Sequence, residues 1–532
     1  MSRSFRVSTP NAVSRATLPG NGKGFVYLVG AGPGRVDLMT VRGGECLGRA
    51  EVVVLDALVD RRVLKHCRAG VKIIDAGKRG DGRVRMRQPE INRLLVRLAR
   101  AGKTVVRLKG GDPFFFGRGA EEAEVLVDHG VPFEVVPGVS AATSVPGFAG
   151  IPLTHRGHAS VVTVVTGHEG RENPYLGETA GQAVRRRGPG VDWSKISSEG
   201  TLVILMGIRQ LPHIARRLLG LGWPSSLPAA AVQWGSWAHQ RTVRGTLKDI
   251  AQRVRRERLG APAVIVVGDV AGLGKNLNWF EKRPLFGKTV LVTRARDQAS
   301  HLSALLEEAG ARVIESPVLR IVPLPLGPDG RGFLRNLLSY DGVLVTSANG
   351  AQLFAKRVGT SRALPPVFAV GPKTAAALAE ERIPVQGVAD TFQAEGMMEL
   401  LGKNVRGRRY LFPRAEEGRE VLVAGLTRRG ARVDLWPLYR TVPVPLTKEA
   451  RAALRAGTVD AVTFTSSSTA NSLLGNFSAP DVHRIFSRAQ AVSIGPITSH
   501  TLRARGVRPT EAAREATVED LARAVVRAVG VR

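Results

Sequence analysis

The sequence predicts an α/β protein built in successive halves, and three observations carry that prediction. Short β-branched runs alternate with amphipathic segments along the chain. A fresh first strand begins at Lys288, after a break at Asn276–Gly287. Beyond that break the sequence contains an internal near-repeat. At 532 residues the chain is too long for one hydrophobic core, so two to four domains are expected.

The elements follow in order. Residues 1–23 are polar, carry Pro10 and Pro19, and lack the apolar centre of a signal peptide, so they read as a flexible tail. Phe25–Val29 (FVYLV) is a strand running into Gly30–Gly34 (GAGPG). Glu51–Leu55, Val71–Ile74 and Thr104–Leu108 are further strands, and Ile91–Arg100 and Glu121–Asp128 are helices with apolar positions at threes and fours. Val161–Thr166, Thr201–Met206 and Ala263–Val267 continue the strands, and the polar, glycine-rich Gly170–Gly190 interrupts them as a surface insertion.

The later half starts with Lys288–Thr293. DGVLVTSANGAQLF (341–354) and DAVTFTSSSTANSL (460–473) are alike and 119 residues apart; VFAVGPKTAAAL (367–378) and AVSIGPITSHTL (491–502) are alike and 124 apart. Two related α/β lobes follow. In each Gly-Pro-x-Thr, the glycine (Gly371, Gly495) ends a strand and the threonine (Thr374, Thr498) stands near a helix start. A hydroxyl there either caps the helix or meets an anion.

The formal charge, 77 basic against 45 acidic residues, is +32. Such an excess attracts polyanions: nucleic acid, an anionic membrane or a multiply carboxylated small molecule. Nucleic acid is set aside, because the chain has no cysteine–histidine finger and no basic stripe interleaved with aromatics. A membrane span is set aside, because no run of 18 apolar residues occurs. Cys46 and Cys67 make no disulfide framework, so a cytoplasmic protein is expected.

The stretch LKGGDPFFFGRG (108–119) hangs from a strand end. Gly110 and Gly111 allow close backbone approach, while Phe114–Phe116 either wall a ligand or plug a core. Asp112 alone reads as a cap or a metal ligand. His155, His158 and His168 raise a metal reading that the lack of accompanying carboxylate ligands sets aside.

Together VYLVGAGPG (26–34), GKRGDG (77–82), RLKGGDPFFFGRG (107–119), VPGVSAATSVPGFAGIPLTHR (136–156) and APAVIVVGDV (261–270) resemble the uroporphyrinogen-III C-methyltransferases of the tetrapyrrole methylase family. The resemblance covers about residues 24–282. It implies two α/β subdomains (about 24–136 and 137–282) around one active site, and a homodimer through this half. It also implies two S-adenosyl-methionine-dependent methylations of uroporphyrinogen III, at C2 and C7. The products would be S-adenosyl-homocysteine and precorrin-2, the precursor of siroheme and cobalamin, with no metal required. Carried over by motif, the cofactor contacts are Pro33, Gly110, Gly111, Asp112, Phe115, Ser140, Ala141, Met206 and Gly235. Asp56 and Lys78 are implied as base and acid. Arg79 and Arg118 are candidate carboxylate clamps, since a guanidinium offers fork geometry. The sequence departs from the family where Val84 and Arg85 replace a His-Ser pair, and where Leu55 and Phe148 replace tyrosines. Trp234-Gly235-Ser236 replaces Asn-Gly-Thr.

VLVTRARDQ (290–298), DGVLVTSANG (341–350), AVGPKTA (369–375), VTFTSSSTA (462–470) and AVSIGPIT (491–498) resemble uroporphyrinogen-III synthase over about 285–532. The resemblance implies interleaved lobes, one of 285–320 plus 443–532 and the other of 321–442. They would be joined by SPVLRIVPLP and WPLYRTVPVP as a two-strand hinge. The implied reaction closes hydroxymethylbilane while inverting its last ring. Thr293, Arg294, Ser347, Ala348, Asn349, Lys373, Thr374, Thr465, Ser466, Ser467 and Thr498 are the candidate substrate contacts. A tyrosine often found before a late threonine is here Ala516. The fold expected overall is a two-domain methylase followed by a two-lobed synthase, with small-molecule tetrapyrroles as partners. A tetrapyrrole-binding or scaffold protein with one inactive half is the alternative.

Overall fold

A computed structural model describes residues 24–77, 86–167, 190–294, 296–359, 363–389, 394–418 and 420–530. The expected tail, Lys78, Arg79, Val84, Arg85, His168 and all but the last residue of Gly170–Gly190 lie outside the described residues. The chain divides into two compact units, one ending at Gly287 and the next beginning at Lys288.

The first unit opens with strands β1 (Phe25–Gly30), β2 (Val52–Leu55), β3 (Lys72–Asp75), β4 (Thr104–Lys109) and β5 (Phe133–Val136). They form one parallel sheet in the order β3-β2-β4-β1-β5. Val52–Leu55 is buried throughout, as expected of a parallel strand covered on both faces. Helices Gln88–Arg100 and Gly119–Asp128 bury Leu94, Leu95 and Leu126 against one face, while Val41–Arg49 buries Cys46 and Leu47 against the other. Every strand therefore discharges its following loop at the same carboxyl edge, where open α/β sheets bind ligands.

A second sheet contains β6 (Val162–Thr166), β7 (Thr201–Leu205), β8 (Pro228–Gln233), β9 (Arg241–Thr246) and β10 (Ala263–Val267), in the order β6-β7-β10-β8-β9. Here β6 and β7 are parallel and the remaining pairs antiparallel. The sequence reading gives no strand at 228–233 or 241–246. PAAAVQ has weak β propensity, and RTVRGT is an edge strand beside it; tertiary packing fixes both.

The second unit holds a parallel sheet of β11 (Thr289–Val292), β12 (Arg312–Glu315), β19 (Ala461–Phe464), β20 (Gln490–Ser493) and β21 (Glu511–Ala512), ordered β12-β11-β19-β20-β21. Its other sheet contains β13 (Leu319–Pro323), β14 (Gly342–Val345), β15 (Val367–Ala369), β16 (Gly387–Val388), β17 (Arg409–Ala415) and β18 (Arg432–Pro443), ordered β13-β18-β17-β14-β15-β16. Strand β13 runs antiparallel to β18, from Leu319 opposite Pro443 to Pro323 opposite Tyr439. As an edge strand β13 tolerates Pro323, which has no ladder donor. The near-repeat is structural: β14 and β19 each enter a helix (Ala348–Val358, Ser467–Leu474), and β15 and β20 do the same (Pro372–Glu380, Pro496–Ala504). Among the described residues no helix is long and apolar enough to cross a membrane.

Candidate active sites

In the first unit the loops after β1, β4 and β5 meet. Gly32 and Gly111 form an isolated bridge, with Gly111 N donating to Gly32 O at 2.7 Å. Gly30 and Gly138 cross so closely that a Cβ on Gly30 would lie 2.6 Å from Gly138 Cα. Only residues without a side chain permit that approach. Asp112 fastens the crossing. Its Oδ2 accepts from Gly138 N at 3.0 Å and its Oδ1 from Phe114 N at 2.8 Å. Asp112 therefore ties the loops after β4 and β5 together through both carboxylate oxygens. Ser140 caps the helix Ala141–Phe148 by accepting from Ala142 N at 3.2 Å, and Ala141 N lies beside Gly111.

The mixed sheet adds to this edge. Pro33 precedes Gly34, which lies against the Trp237 indole, and Arg35 N donates to Ser236 Oγ at 3.4 Å. Gly235 is buried on Val145, where a larger residue would collide. Among the described residues seven non-glycines have positive φ, and Phe116, Arg118, Met206, Trp234 and Ser236 stand in these loops. Such costly conformations persist where the surroundings impose them, and they cluster at ligand sites. Met206 is 54% exposed, and Phe114, Phe115 and Phe116 are 52%, 41% and 41% exposed. Among the described residues the phenylalanines thus plug no core; Phe115 and Phe116 stack edge to face at 5.1 Å. Backbone amides, glycine surfaces and exposed apolar side chains together fit a flat heteroaromatic ligand with an amino-acid tail.

Asp56 ends β2 at this edge. Its N donates to Leu108 O at 3.0 Å, and its Oδ1 accepts from Ala57 N at 2.7 Å. Arg118 Nε lies 2.5 Å from Glu121 Oε2, so the expected carboxylate clamp has an acidic partner of its own. His155 accepts from Gly157 N at 3.1 Å in a tight turn also containing His158.

In the second unit the predicted residues gather at the carboxyl ends of β11, β14, β15, β19 and β20. Ser347 and Ser466 are helix N-caps, accepting from Gly350 N at 3.0 Å and Thr469 N at 3.1 Å. Ser347 Oγ also lies 3.1 Å from the Tyr439 hydroxyl, and Thr501 Oγ1 donates to Ser467 Oγ at 2.7 Å. Ala348, Asn349 and Thr465 are half-buried beside these caps, and Lys373 is exposed. Burial pushes the Arg294 guanidinium below its ordinary range.

Three of the candidate threonines are buried. Thr293 is fully buried and its hydroxyl donates to Thr463 O at 2.8 Å, linking β11's end to β19. Thr374 and Thr498 are each 4% exposed, one turn inside helices whose N-caps are Gly371 and Gly495. Neither threonine is the cap.

Residues 26–251 match the family of Tetrapyrrole (Corrin/Porphyrin) Methylases, and residues 300–523 match Uroporphyrinogen-III synthase HemD. The porphyrin biosynthesis protein HemD of Ruminiclostridium josui is 34% identical over 465 residues, covering 85% of this chain and 89% of that protein. The chain belongs to this family, a tetrapyrrole methylase fused to a uroporphyrinogen-III synthase. The uroporphyrinogen-III C-methyltransferase of Bacillus subtilis (strain 168) is 36% identical over 340 residues, covering 64% of this chain and 67% of that protein. A solved uroporphyrin-III C-methyl transferase from Thermus thermophilus, complexed with S-adenyl homocysteine, is 38% identical, with 47% of this chain and 99% of that chain covered at a TM-score of 0.38. The fusion is an enzyme of tetrapyrrole biosynthesis.

Within the methylase half of the fusion, sequence reasoning passed over a buried charge cluster. Glu122 is 0% exposed and Arg107 and Lys109 are 3% exposed. Glu122 Oε1 takes Lys109 Nζ at 2.8 Å, Gln88 Nε2 at 2.9 Å and Arg107 Nε at 3.2 Å. The available signal was alternation: two cations two residues apart on a strand flanked by Val105, Val106 and Leu108 must share one covered face. In the synthase half the overlooked residue is Tyr439, whose hydroxyl reaches the Ser347 cap from β18.

Proposed function

We propose that the first half methylates uroporphyrinogen III at C2 and C7 to give precorrin-2, and that the second half makes uroporphyrinogen III by closing hydroxymethylbilane with inversion of its last ring. The single observation that carries the methylase reading is the close glycine crossing of Gly30, Gly111 and Gly138. S-adenosyl-methionine supplies the electrophilic methyl group there. The backbone around Pro33, Gly110, Gly111, Ser140, Ala141 and Gly235 holds its polar ends, and Met206 and Phe115 wall its apolar parts. Each methylation of a pyrrole carbon releases one proton net, which Asp56 accepts; Lys78, as the acid, gives a proton to one ring position and takes one back from another, so that it shifts a ring proton without changing that balance. Arg79 and Arg118 clamp substrate carboxylates; Glu121 releases Arg118 as one binds.

The second half works by holding a flexible linear substrate in the geometry that favours one closure. Arg294 and Lys373 meet its carboxylates, and the loops of Ser347–Asn349 and Thr465–Ser467 present backbone N–H groups. The two halves act in sequence, in the cytoplasm, and the methylase half pairs as a homodimer.

Hydroxymethylbilane supplied without the methyl donor should yield the type III ring, and adding the donor should convert it to the dimethylated product. Failure of both conversions sinks the proposal. Asp56→Asn should abolish methylation while leaving ring closure and S-adenosyl-homocysteine binding intact.

A further inference from the structure

One buried side chain joins two parts of the proposed methyl-donor edge. Gln240 is 3% exposed and stands between β8 and β9, just before β9 begins. Its Oε1 accepts from Ser236 N at 3.0 Å, and its Nε2 donates to Phe148 O at 3.1 Å. Ser236 closes the 234–236 turn, in which Trp234 and Ser236 are both left-handed and Gly235 rests on Val145. Phe148 ends the helix Ala141–Phe148, whose N-cap is Ser140 and whose first residue lies beside Gly111. Gln240 thus bridges the turn and a helix end 92 residues earlier in the chain.

The orientation of this amide is decided by its neighbours. Ser236 N is a donor, whereas Phe148 O and Glu281 Oε1 are acceptors, so a flipped amide would meet every partner with the wrong group. Glu281 Oε1 takes Gln240 Nε2 at 2.9 Å and also the Thr242 hydroxyl, and its Oε2 takes Asn278 Nδ2 at 2.7 Å. Residues 278–281 follow the helix Val270–Leu277 and grip the same end of Ala141–Phe148, where Trp279 Nε1 donates to Gly147 O at 3.1 Å. The Phe148 ring packs on Trp279 and Phe280, at 5.4 and 4.9 Å between ring centres. A buried polar network with donors and acceptors matched holds its members in one geometry. The left-handed backbone at Ser236 persists for that reason.

We infer that Gln240, oriented by Glu281, is a positioning residue for the methyl donor: it locks the 234–236 turn onto the helix Ala141–Phe148, so that Gly235 and Ala141 present one preformed edge. This rests on the proposed reading of Ser140, Ala141 and Gly235 as methyl-donor contacts. Gln240 and Glu281 stand behind those contacts and act through them. A site already held in shape leaves less ordering for binding to oppose, and so binds more tightly. Residues 278–281 belong to the stretch that ends the first unit at Gly287. The segment leaving the methylase half therefore helps to set the affinity of its donor site.

The test is calorimetric binding of S-adenosyl-homocysteine to the full-length chain, with methylation kinetics beside it. Gln240→Glu sets a carboxylate against Glu281 and Phe148 O, and should weaken binding about tenfold or more. The exchange Gln240→Glu/Glu281→Gln again puts a donor opposite an acceptor. It should bind within about threefold of the unaltered chain, the lost bond to Phe148 O accounting for the remainder. At saturating donor each variant should keep kcat within about twofold, while KM for the donor follows the loss of binding. Val254→Ala opens the core under the helix Ile250–Arg256, among none of these partners, and should leave binding within about twofold. A tenfold loss there would reduce Gln240 to general stability and overturn the inference. If Gln240→Glu does not fold, Glu281→Ala takes its place; it strips Gln240 of an acceptor and should weaken binding about fivefold. Unchanged binding in the folded Gln240 or Glu281 variant overturns the inference, and so does an exchange variant as weak as Gln240→Glu. No binding by the unaltered chain would instead remove the methyl-donor reading beneath it.

Discussion

The Asp112 carboxylate accepts a 3.0 Å hydrogen bond from Gly138 N, joining the loop after β4 to the loop after β5. The same carboxylate accepts from Phe114 N, so one side chain fixes both the crossing of the glycine loops and the start of the phenylalanine run. Its role is to shape the site.

Replacing Asp112 with Asn swaps a charged acceptor for a neutral group with half its acceptor capacity. Charge-assisted hydrogen bonds are worth about 1.5–3 kcal/mol. Asp112→Asn should weaken S-adenosyl-homocysteine binding about tenfold or more by calorimetry. The retained amount of bound ligand at saturation should show that the pocket still exists.

Gly138→Ala places a methyl group into the Gly111 carbonyl and against Gly30. Overpacking of this kind costs about 1–3 kcal/mol, and relieving it must push the loops apart. Methyl-donor binding should be lost, while donor-free ring closure by the other half proceeds at the original rate.

Thr293→Val removes the bond to Thr463 O without changing shape much. The unit beginning at Lys288 should lose about 1 kcal/mol of stability in denaturant titration. The KM for hydroxymethylbilane should stay unchanged; a raised KM at full stability would restore Thr293 as a contact.

Acid should loosen the last helix of the second unit. Asp520 is pushed down to about 2, first by the Arg523 hydrogen bond and then by the backbone N–H groups of Glu515 and Arg514. A depressed carboxylate contributes stability above its unfolded value, near 4, and loses it as pH falls towards 2. Unfolding of this unit should steepen over that window, and Asp520→Asn should flatten it.

The parallel sheets were legible because their strands are short runs dominated by β-branched and apolar residues, as in FVYLV and EVVVL. The repeat was legible because two copies share turn residues in the same order. The β8–β9 hairpin was not, since three of the six residues in PAAAVQ are alanines with little β preference. Among site residues, Met206 was expected at a strand end and follows β7 there, and the other four left-handed non-glycines of these loops, Phe116, Arg118, Trp234 and Ser236, had no sequence signal. Hydroxyls misled most. A threonine near Gly-Pro reads as a cap or an anion contact; the extended glycine takes the cap position and the threonine is buried. The Lys109–Glu122 contact was hidden because its partners lie 13 residues apart on different elements.

Strand β11 pairs with β19 at Val290 opposite Ala461, a separation bridged by the whole of the β13–β18 sheet. That connectivity fixes an order of assembly on the ribosome. The strands from 319 to 443 are all made, and can close on themselves, before the central partner of β11 exists. The earlier strands Thr289–Val292 and Arg312–Glu315 must wait as a two-stranded fragment with an open edge. The later-starting lobe is thus the first to mature, and stalled or truncated chains ending before 461 leave that edge uncovered.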